Sequence, residues 1–161
     1  MIRALLLGCV LLLSACVSQA PLPERTPSLA LPLQLHVQRQ AENQRQDWLL
    51  VIQAEGPDLR WSLMDPLGIP LARQRLVAGH WQADGLLPPN PEARELFAAL
   101  LFALTPAAEL AANYPHARQQ GGQRSLGQRW RIDYQQPLDF ALNLPQGPSY
   151  HITALSTEAT P

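Results

Sequence analysis

The stretch NPEARELFAALLFALTPAAELAANY, residues 90–114, decides the fold of this chain. Asn90 is a favourable N-cap, and Pro91 suits the first helical position, where its missing N–H leaves no donor unpaired. Every residue in 96–104 is apolar, and a helix that is apolar on all sides is normally enclosed by other elements. The run is too short to cross a bilayer. We therefore expect a buried helix, followed after Thr105-Pro106 by a second short helix.

The segments on both sides of these helices alternate between apolar and polar residues with the period of a β-strand. Apolar residues occupy every second position around Val37, Ile52, Trp61 and Ile132. One apolar face per strand is typical of an antiparallel sheet that is buried on one side. The predicted fold class is α+β, mainly β: a curved antiparallel sheet of roughly eight strands, a half-open barrel, with two short helices packed in its concave face.

Three connecting segments have distinct compositions. Residues 41–46 are polar and are predicted to form a turn, and Gly121-Gly122 is predicted to mark a mobile loop. Residues 65–70 form a Pro-bounded turn that carries Leu67 and Ile69. If this turn lies on the surface, the aliphatic pair indicates contact with a membrane or a partner; if it folds back onto the core, the pair is structural.

The N-terminus has the pattern of a bacterial lipoprotein signal. A positively charged start and an apolar run precede Leu-Ser-Ala-Cys, which ends at Cys16. An ordinary secretory signal with an incidental cysteine is the alternative. The predicted organisation is a signal peptide at 1–15, a lipidated Cys16 with a Pro-rich extended tether at 16–32, a single domain at 33–155 and a flexible tail at 156–161. Val17 stands where inner-membrane lipoproteins usually carry Asp, so by resemblance the expected location is the outer membrane, with the domain facing the periplasm.

Composition and residue spacing exclude several classes of function. With a net charge of −1, the chain lacks the excess of positive charge that is typical of nucleic-acid-binding proteins. Both cysteines lie in the signal, so the mature domain has no disulfide and no thiol nucleophile. The four histidines, His36, His80, His116 and His151, show no metal-ligand spacing. We expect a monomer that is not an enzyme and has no catalytic residues, cofactor or metal; hydrolysis remains a weak alternative.

Three stretches resemble the outer-membrane lipoprotein receptors and their periplasmic carrier relatives, LolB and LolA, and a related group of small proteobacterial lipoproteins. The stretches are RWSLMDPLG at 60–68, the helical residues 90–114, and WRIDY at 130–134 with the later LNLP at 142–145. The resemblance implies a LolA/LolB-like fold and a LolB-like domain over 33–155. The chain departs from the receptors in its shorter length and in the Pro-rich tether, which replaces an N-terminal helical segment.

The resemblance also implies a function. The receptors hold acyl chains in an apolar cavity between sheet and helices, and they present an exposed Leu to the membrane at the position of Leu67. The corresponding cavity here would be lined by Trp48, Leu50, Trp61, Leu63, Leu100, Leu101, Phe102, Trp130, Ile132, Phe140 and Leu142. The same residues could instead pack together without a void.

Two functional hypotheses follow from these expectations. The first is an outer-membrane lipoprotein that binds acyl chains or lipidated cargo, receives it from a periplasmic carrier or exporter, and aids the localisation of lipoproteins or lipid-like products. The second is an envelope scaffold for an exporter or biosynthetic system, with no ligand cavity. Two pairs of residues, Arg73 with Arg75 or Arg129 with Arg131, could hold an anionic head group, or they could be solvated strand residues.

Overall fold

The computed structural model describes residues 19–155, so the signal segment, Cys16 and residues 156–161 lie outside the described residues. The described chain forms ten strands and two helices. In chain order they are β1 (Leu33–Ala41), β2 (Gln44–Glu55), β3 (Asp58–Met64), β4 (Pro70–Val77), β5 (His80–Ala83), α1 (Pro91–Leu104), α2 (Ala107–Asn113), β6 (Ala117–Gln120), β7 (Gln123–Leu126), β8 (Trp130–Gln136), β9 (Asp139–Asn143) and β10 (Ser149–Ala154).

All ten strands belong to one antiparallel sheet with the order β5-β4-β3-β2-β1-β10-β9-β8-β7-β6. Each half of the sheet is a run of neighbouring hairpins, and the pairing of β1 with β10 joins the halves. β5 and β6 are the two outer strands and do not pair with each other, so the sheet is unclosed. The two helices connect these outer strands. The predicted mainly β architecture with a curved antiparallel sheet is confirmed, with ten strands instead of about eight.

Contacts from strands far apart in the sheet show that it curves around α1. The ring of Trp81 on β5 lies 5.9 Å from Phe97, and the guanidinium of Arg124 on β7 lies 5.7 Å from the ring of Phe102. β5 and β7 are separated by seven other strands, which in a flat sheet would place them roughly 40 Å apart. Side chains from both can reach one helix only because the sheet bends around it.

The helix α1 is buried on all sides, as its sequence predicts. Asn90 caps it, accepting a 3.0 Å hydrogen bond from the backbone N–H of Ala93 on its side-chain oxygen. All residues from 96 to 103 are buried, and Phe97 and Phe102 contact Trp61 and Trp130 of the sheet, with ring centroids 5.4 and 5.6 Å apart. Each large apolar side chain buried in this way stabilises the fold by about 1.5–3 kcal/mol.

The segment predicted to be a tether lies along the domain instead of reaching away from it. Residues 19–32, here called the strap, bury Pro23 and Pro27. The backbone N–H of Glu24 donates to the carbonyl oxygen of Asn113 at 3.3 Å, and that of Ser28 donates to the Glu109 carboxylate at 3.0 Å. This is a correction to the expected extended tether. A high content of proline indicates an extended backbone, but it does not distinguish a free chain from one that packs on a surface.

Two predicted connecting segments also differ from expectation. Residues 41–46 were expected to form a turn. Instead, β1 continues to Ala41 and β2 already begins at Gln44, so only two residues connect the strands. The predicted mobile loop at Gly121-Gly122 is the tight turn of the β6–β7 hairpin, with Gly121 at a φ of 56°. A Gly-Gly pair between two short runs is a hairpin signal. The flanking residues are polar, however, and lack the alternation by which the other strands were recognised.

Candidate functional site

The residues predicted to line a cavity lie together in the interior of the sheet. Ten of the eleven are buried, and Trp48 is half-buried with its ring 6.3 Å from that of Tyr150. They belong to or pack against one continuous apolar core. Trp48 and Leu63 also line a small surface pocket together with Arg39 and Glu92. The structure therefore brings these residues together as contacting core side chains.

A larger pocket lies at the C-terminal end of α1, where the strap, the helix connection, strands β6 to β8 and the β8–β9 turn meet. This terminal pocket has a volume of about 700 Å³. Its walls are mainly aliphatic, and these residues are Leu29, Leu33, Leu104, Pro106, Pro137 and Leu138. Ser28, Leu29 and Ala30 of the strap form one side of it. Sequence reasoning missed this site because its residues come from five segments with no common periodicity.

A buried arginine stands at the wall of the terminal pocket. Arg124 is only 4% exposed, and one of its terminal nitrogens donates to the carbonyl oxygens of Phe102, Ala103 and Thr105 at 2.8, 3.1 and 2.8 Å. These are carbonyls at the C-terminal end of α1, where the helix dipole favours a cation. Burial lowers the pKa of Arg124, but an arginine side chain stays charged in proteins at neutral pH.

The positive charge of Arg124 has no carboxylate partner within residues 19–155. Its remaining hydrogen bonds go to the neutral side-chain oxygen of Gln119, at 3.2 Å from Nε and 3.0 Å from the second terminal nitrogen. The ring of Tyr134 lies 5.5 Å from the guanidinium, and its hydroxyl donates to the Ala103 carbonyl at 2.6 Å. Burial raises the pKa of Tyr134 to about 12, although the charge of Arg124 opposes this. The phenol therefore stays protonated.

The turn that carries Leu67 and Ile69 lies on the surface. The side chains are 86% and 56% exposed. Asp65 holds the turn in shape, because one carboxylate oxygen accepts from the backbone N–H of Leu67 at 2.9 Å and of Ile69 at 2.8 Å. Gly68, at a φ of 82°, occupies a conformation that favours glycine. The two aliphatic side chains are thus displayed outward by a hydrogen-bonded turn.

A third exposed aliphatic residue, which sequence reasoning did not single out, lies at the same end of the sheet. Leu86 is fully exposed in the connection from β5 to α1. That connection runs beside the start of β4, since the Asp84 N–H donates to the Arg73 carbonyl at 3.2 Å and the Asn90 side chain to the Leu71 carbonyl at 3.4 Å. Leu67, Ile69 and Leu86 are here called the aliphatic end.

The strap begins near this end. Gln19, Ala20 and Leu22 line a pocket together with Pro91 and Arg94 of the first turns of α1. The strap then passes α2 and reaches the terminal pocket at the opposite end of α1. It therefore runs along the helices from the aliphatic end to the terminal pocket.

The four arginines considered as head-group ligands all have carboxylate partners. Arg73 lies 3.3 Å from Asp84, and Arg75 lies 2.7 Å from Asp58. Arg129 contacts Glu95 at 2.7 Å, and Arg131 contacts Asp133 at 3.0 Å. These contacts favour the interpretation of charged strand residues that pair with neighbours. Arg124, by contrast, lines a pocket and has no carboxylate partner among residues 19–155.

Two glutamates fasten the first turns of α1 to the sheet. Glu92 accepts hydrogen bonds from Arg39 at 3.0 Å and from the Tyr150 hydroxyl at 2.9 Å. Glu95 accepts from Arg129 at 2.8 Å and from the Trp130 indole at 2.7 Å. Burial, the largest single effect, raises the pKa of each glutamate, but the hydrogen bonds together with the arginine charge outweigh it and leave each pKa below its ordinary value. Both side chains thus remain ionised at neutral pH.

Two histidines form pairs that the sequence did not reveal. His36 lies 2.8 Å from Asp47, and His151 lies 2.9 Å from Asp139, each pair joining neighbouring strands. Among residues 19–155, neither imidazole is hydrogen-bonded to a hydroxyl group. No group of three or more potential metal-ligating side chains occurs in residues 19–155.

Two comparisons with known proteins gave no match. No protein-family model matches the chain, and no curated protein has a matching sequence. The fold and the site together define a mainly β domain in which an open, curved antiparallel sheet encloses one apolar helix, with an apolar pocket at one end. In the part of the chain that the structure describes, neither helix has the length and apolar character needed to span a bilayer.

Proposed function

We propose that this protein is an outer-membrane-anchored lipoprotein that binds an acyl chain or lipidated cargo in the terminal pocket. The observation that carries the proposal is the pocket itself, an open, mainly apolar cavity of about 700 Å³ between the strap, the helices and the sheet. Pockets of roughly 300–1,000 Å³ with mostly apolar walls are usual for small-molecule sites. Each methylene buried there would contribute about 0.8 kcal/mol.

This proposal places the ligand at the end of the helix and not in the sheet interior. The interior residues are in contact with one another, so a chain could enter there only by separating them. The terminal pocket needs no such rearrangement. The LolA/LolB-like fold implied by the sequence resemblance remains part of the proposal, supported by the curved antiparallel sheet around two helices.

The aliphatic end is the surface that contacts the membrane or a carrier in this proposal. Cys16, the proposed lipidation site, precedes Gln19 by three residues, or about 10 Å of extended chain. Gln19 lies beside the first turns of α1. A lipid on Cys16 would therefore hold the membrane close to Leu67, Ile69 and Leu86, whose exposed apolar surface suits that environment.

The experiment uses a fatty acid that carries a photoreactive diazirine and an alkyne handle, supplied to cells that make the full-length protein. After irradiation, the protein is purified and the labelled peptides are identified by mass spectrometry. We expect label on peptides that contain Leu104 or Leu138, besides metabolic label at Cys16. Leu138→Trp should fill the pocket and reduce its labelling, whereas Leu144→Trp, at the other end of the sheet, should not. Label at Cys16 with none in the pocket would overturn the proposal.

The continuous cluster of buried apolar residues favours a second candidate function, an envelope scaffold for an exporter or biosynthetic system that has no ligand site. In that case, photoreactive residues placed at the aliphatic end would crosslink one protein partner in cells. The pocket peptides would remain free of fatty-acid label.

A further inference from the structure

The chemical character of the ligand's head group can be argued from the charge at the pocket wall. We propose that the terminal pocket is selective for a single-chain amphiphile with an anionic head group, with Arg124 as the residue that recognises the charge and the aliphatic wall as the site of the chain. This inference rests on the proposed function, because it presupposes that an acyl chain enters this pocket.

The first step is the electrostatic state of the pocket wall. The guanidinium of Arg124 is held by carbonyl dipoles and by the neutral side chain of Gln119, and no carboxylate lies within ion-pair distance among the described residues. Backbone dipoles at a helix C-terminus are equivalent to roughly half a negative charge. Part of the positive charge therefore remains uncompensated.

The second step is the hydrogen-bonding capacity of the guanidinium. An arginine side chain has five N–H donors. The terminal nitrogen bonded to Phe102, Ala103 and Thr105 uses both of its donors, and Nε uses its one on Gln119. The second terminal nitrogen donates one of its two N–H groups to Gln119. The remaining N–H can donate to a ligand, and a carboxylate or phosphate oxygen is the acceptor that gains most from it.

The third step is the distribution of polar and apolar groups around the pocket. Arg124, Gln119 and Ser28 supply polar atoms, while Leu33, Leu104 and Leu138 supply the apolar wall. A site with one cationic position and a mainly apolar wall complements a ligand with one charged end and one chain. The volume of about 700 Å³ is that of a site for one small molecule, which favours a single chain over a lipid with several.

The experiment compares two photoreactive probes of equal chain length, a fatty acid and the matching fatty alcohol. The lipidated full-length protein is reconstituted in phosphatidylcholine vesicles, and labelling of pocket peptides is measured. We expect the acid to label the pocket about tenfold more than the alcohol, the preference that one charge-assisted hydrogen bond supplies. Equal labelling by both probes would contradict the proposed selectivity for an anionic head group but would still support binding of an acyl chain. No pocket labelling by either probe would overturn both proposals.

Two variants test the role of Arg124. Arg124→Gln should abolish the preference for the acid while the alcohol still labels the pocket. This variant also removes hydrogen-bond donors from the end of α1, so Gln119→Glu is the more informative change. It keeps Arg124 and places a carboxylate next to the guanidinium, and residue 119 lies at an exposed strand position. It should abolish the preference as well. Gln120→Glu adds the same charge at the next position and should preserve it; loss in both glutamate variants would contradict a specific role for Arg124.

Discussion

The backbone N–H of Arg25 donates a 2.9 Å hydrogen bond to the side-chain oxygen of Asn113, and this contact fixes the strap on α2. The backbone carbonyl oxygen of Asn113 also accepts a hydrogen bond from the backbone N–H of Glu24. One buried residue at the end of a short helix thus holds a segment that is 88 residues earlier in the chain. Because the strap forms one side of the terminal pocket, its attachment determines whether the pocket is closed on that side.

Replacement of Asn113 should loosen the strap. Asn113→Ala removes the acceptor for Arg25, and we expect faster hydrogen exchange in the strap together with a loss of about 1 kcal/mol in the free energy of unfolding. Asn113→Asp retains an acceptor oxygen and should retain slow exchange. The measurement is hydrogen exchange followed by mass spectrometry of the N-terminal peptides. Unchanged exchange in Asn113→Ala would show that the buried prolines and the hydrogen bonds of Glu24 and Ser28 hold the strap without the Asn113 side chain.

Truncation of a core residue on α1 should be costly. Leu100 is fully buried, and Leu100→Ala is expected to lower the free energy of unfolding by about 2–5 kcal/mol through lost burial and the cavity left behind. Leu86→Ala, at a fully exposed position, should change it by less than about 0.5 kcal/mol. Denaturant unfolding measures both. Equal effects of the two substitutions would contradict the described burial.

An enlarged side chain in the interior distinguishes a packed core from a hollow one. Ala98 is fully buried on α1, and Ala98→Leu should destabilise the domain by about 1–3 kcal/mol, because the added atoms have no space. If the interior contained an open acyl cavity next to this position, the substitution would be neutral or stabilising. Thermal and denaturant unfolding would show the difference, with Ala54→Leu at an exposed strand position as the control.

Stability should decrease in acid through the two glutamates of α1. The pKa of Glu95 is lowered in the folded state, because hydrogen bonds from Arg129 and Trp130 outweigh the effect of burial, which by itself raises it. Because the pKa of Glu95 is lower in the folded state than its value of 4.5 in the unfolded state, the ionised carboxylate stabilises the fold at pH values above 4.5. This contribution is lost as the pH falls through the pKa of the folded state. Glu95→Gln should therefore reduce the free energy of unfolding by about 1–2 kcal/mol at neutral pH.

The same variant should show a weaker dependence of stability on pH. Below the folded pKa of Glu95, the wild type and Glu95→Gln should approach equal stability, since the carboxyl is then protonated in both states of the wild type. Glu24→Gln, at an exposed position, is the control and should follow the wild type. Denaturant unfolding across the acid range measures the effect; parallel curves for wild type and Glu95→Gln would contradict it.

Charges at the aliphatic end should weaken contact with a membrane or carrier without unfolding the domain. Leu67→Glu and Leu86→Glu alter exposed side chains, so their unfolding should match the wild type within about 0.5 kcal/mol. We expect both to impair delivery of a labelled acyl cargo from the protein to acceptor vesicles. Leu155→Glu is the matched control. Leu155 lies beside Gln34 near the start of β1, away from the aliphatic end, and we expect this variant to deliver the cargo normally. Normal delivery by all three variants would contradict a role for this end.

Local patterns were sufficient for most of the elements. The N-cap at Asn90 and the apolar run through Phe102 correctly predict α1, and the period-two alternation at Trp61 and Ile132 correctly predicts strands. The hairpin around Gly121 was missed because its two short, polar strands bury few side chains and so carry no alternation. Arg124, on that hairpin, is buried by the end of α1, a contact between residues about twenty positions apart that no local pattern encodes.

By itself, the sequence determined most of the helices and strands and which face of each is apolar, because these properties depend on neighbours within a few residues. Only the tertiary structure decided that the aromatic residues are buried together around α1 and that the strap lies on α2. It also decided that an arginine with no carboxylate partner among residues 19–155 stands beside an apolar pocket at the end of α1. These features depend on how a ten-stranded sheet bends around one helix, and that curvature is set by contacts between distant residues such as Trp81 and Phe97.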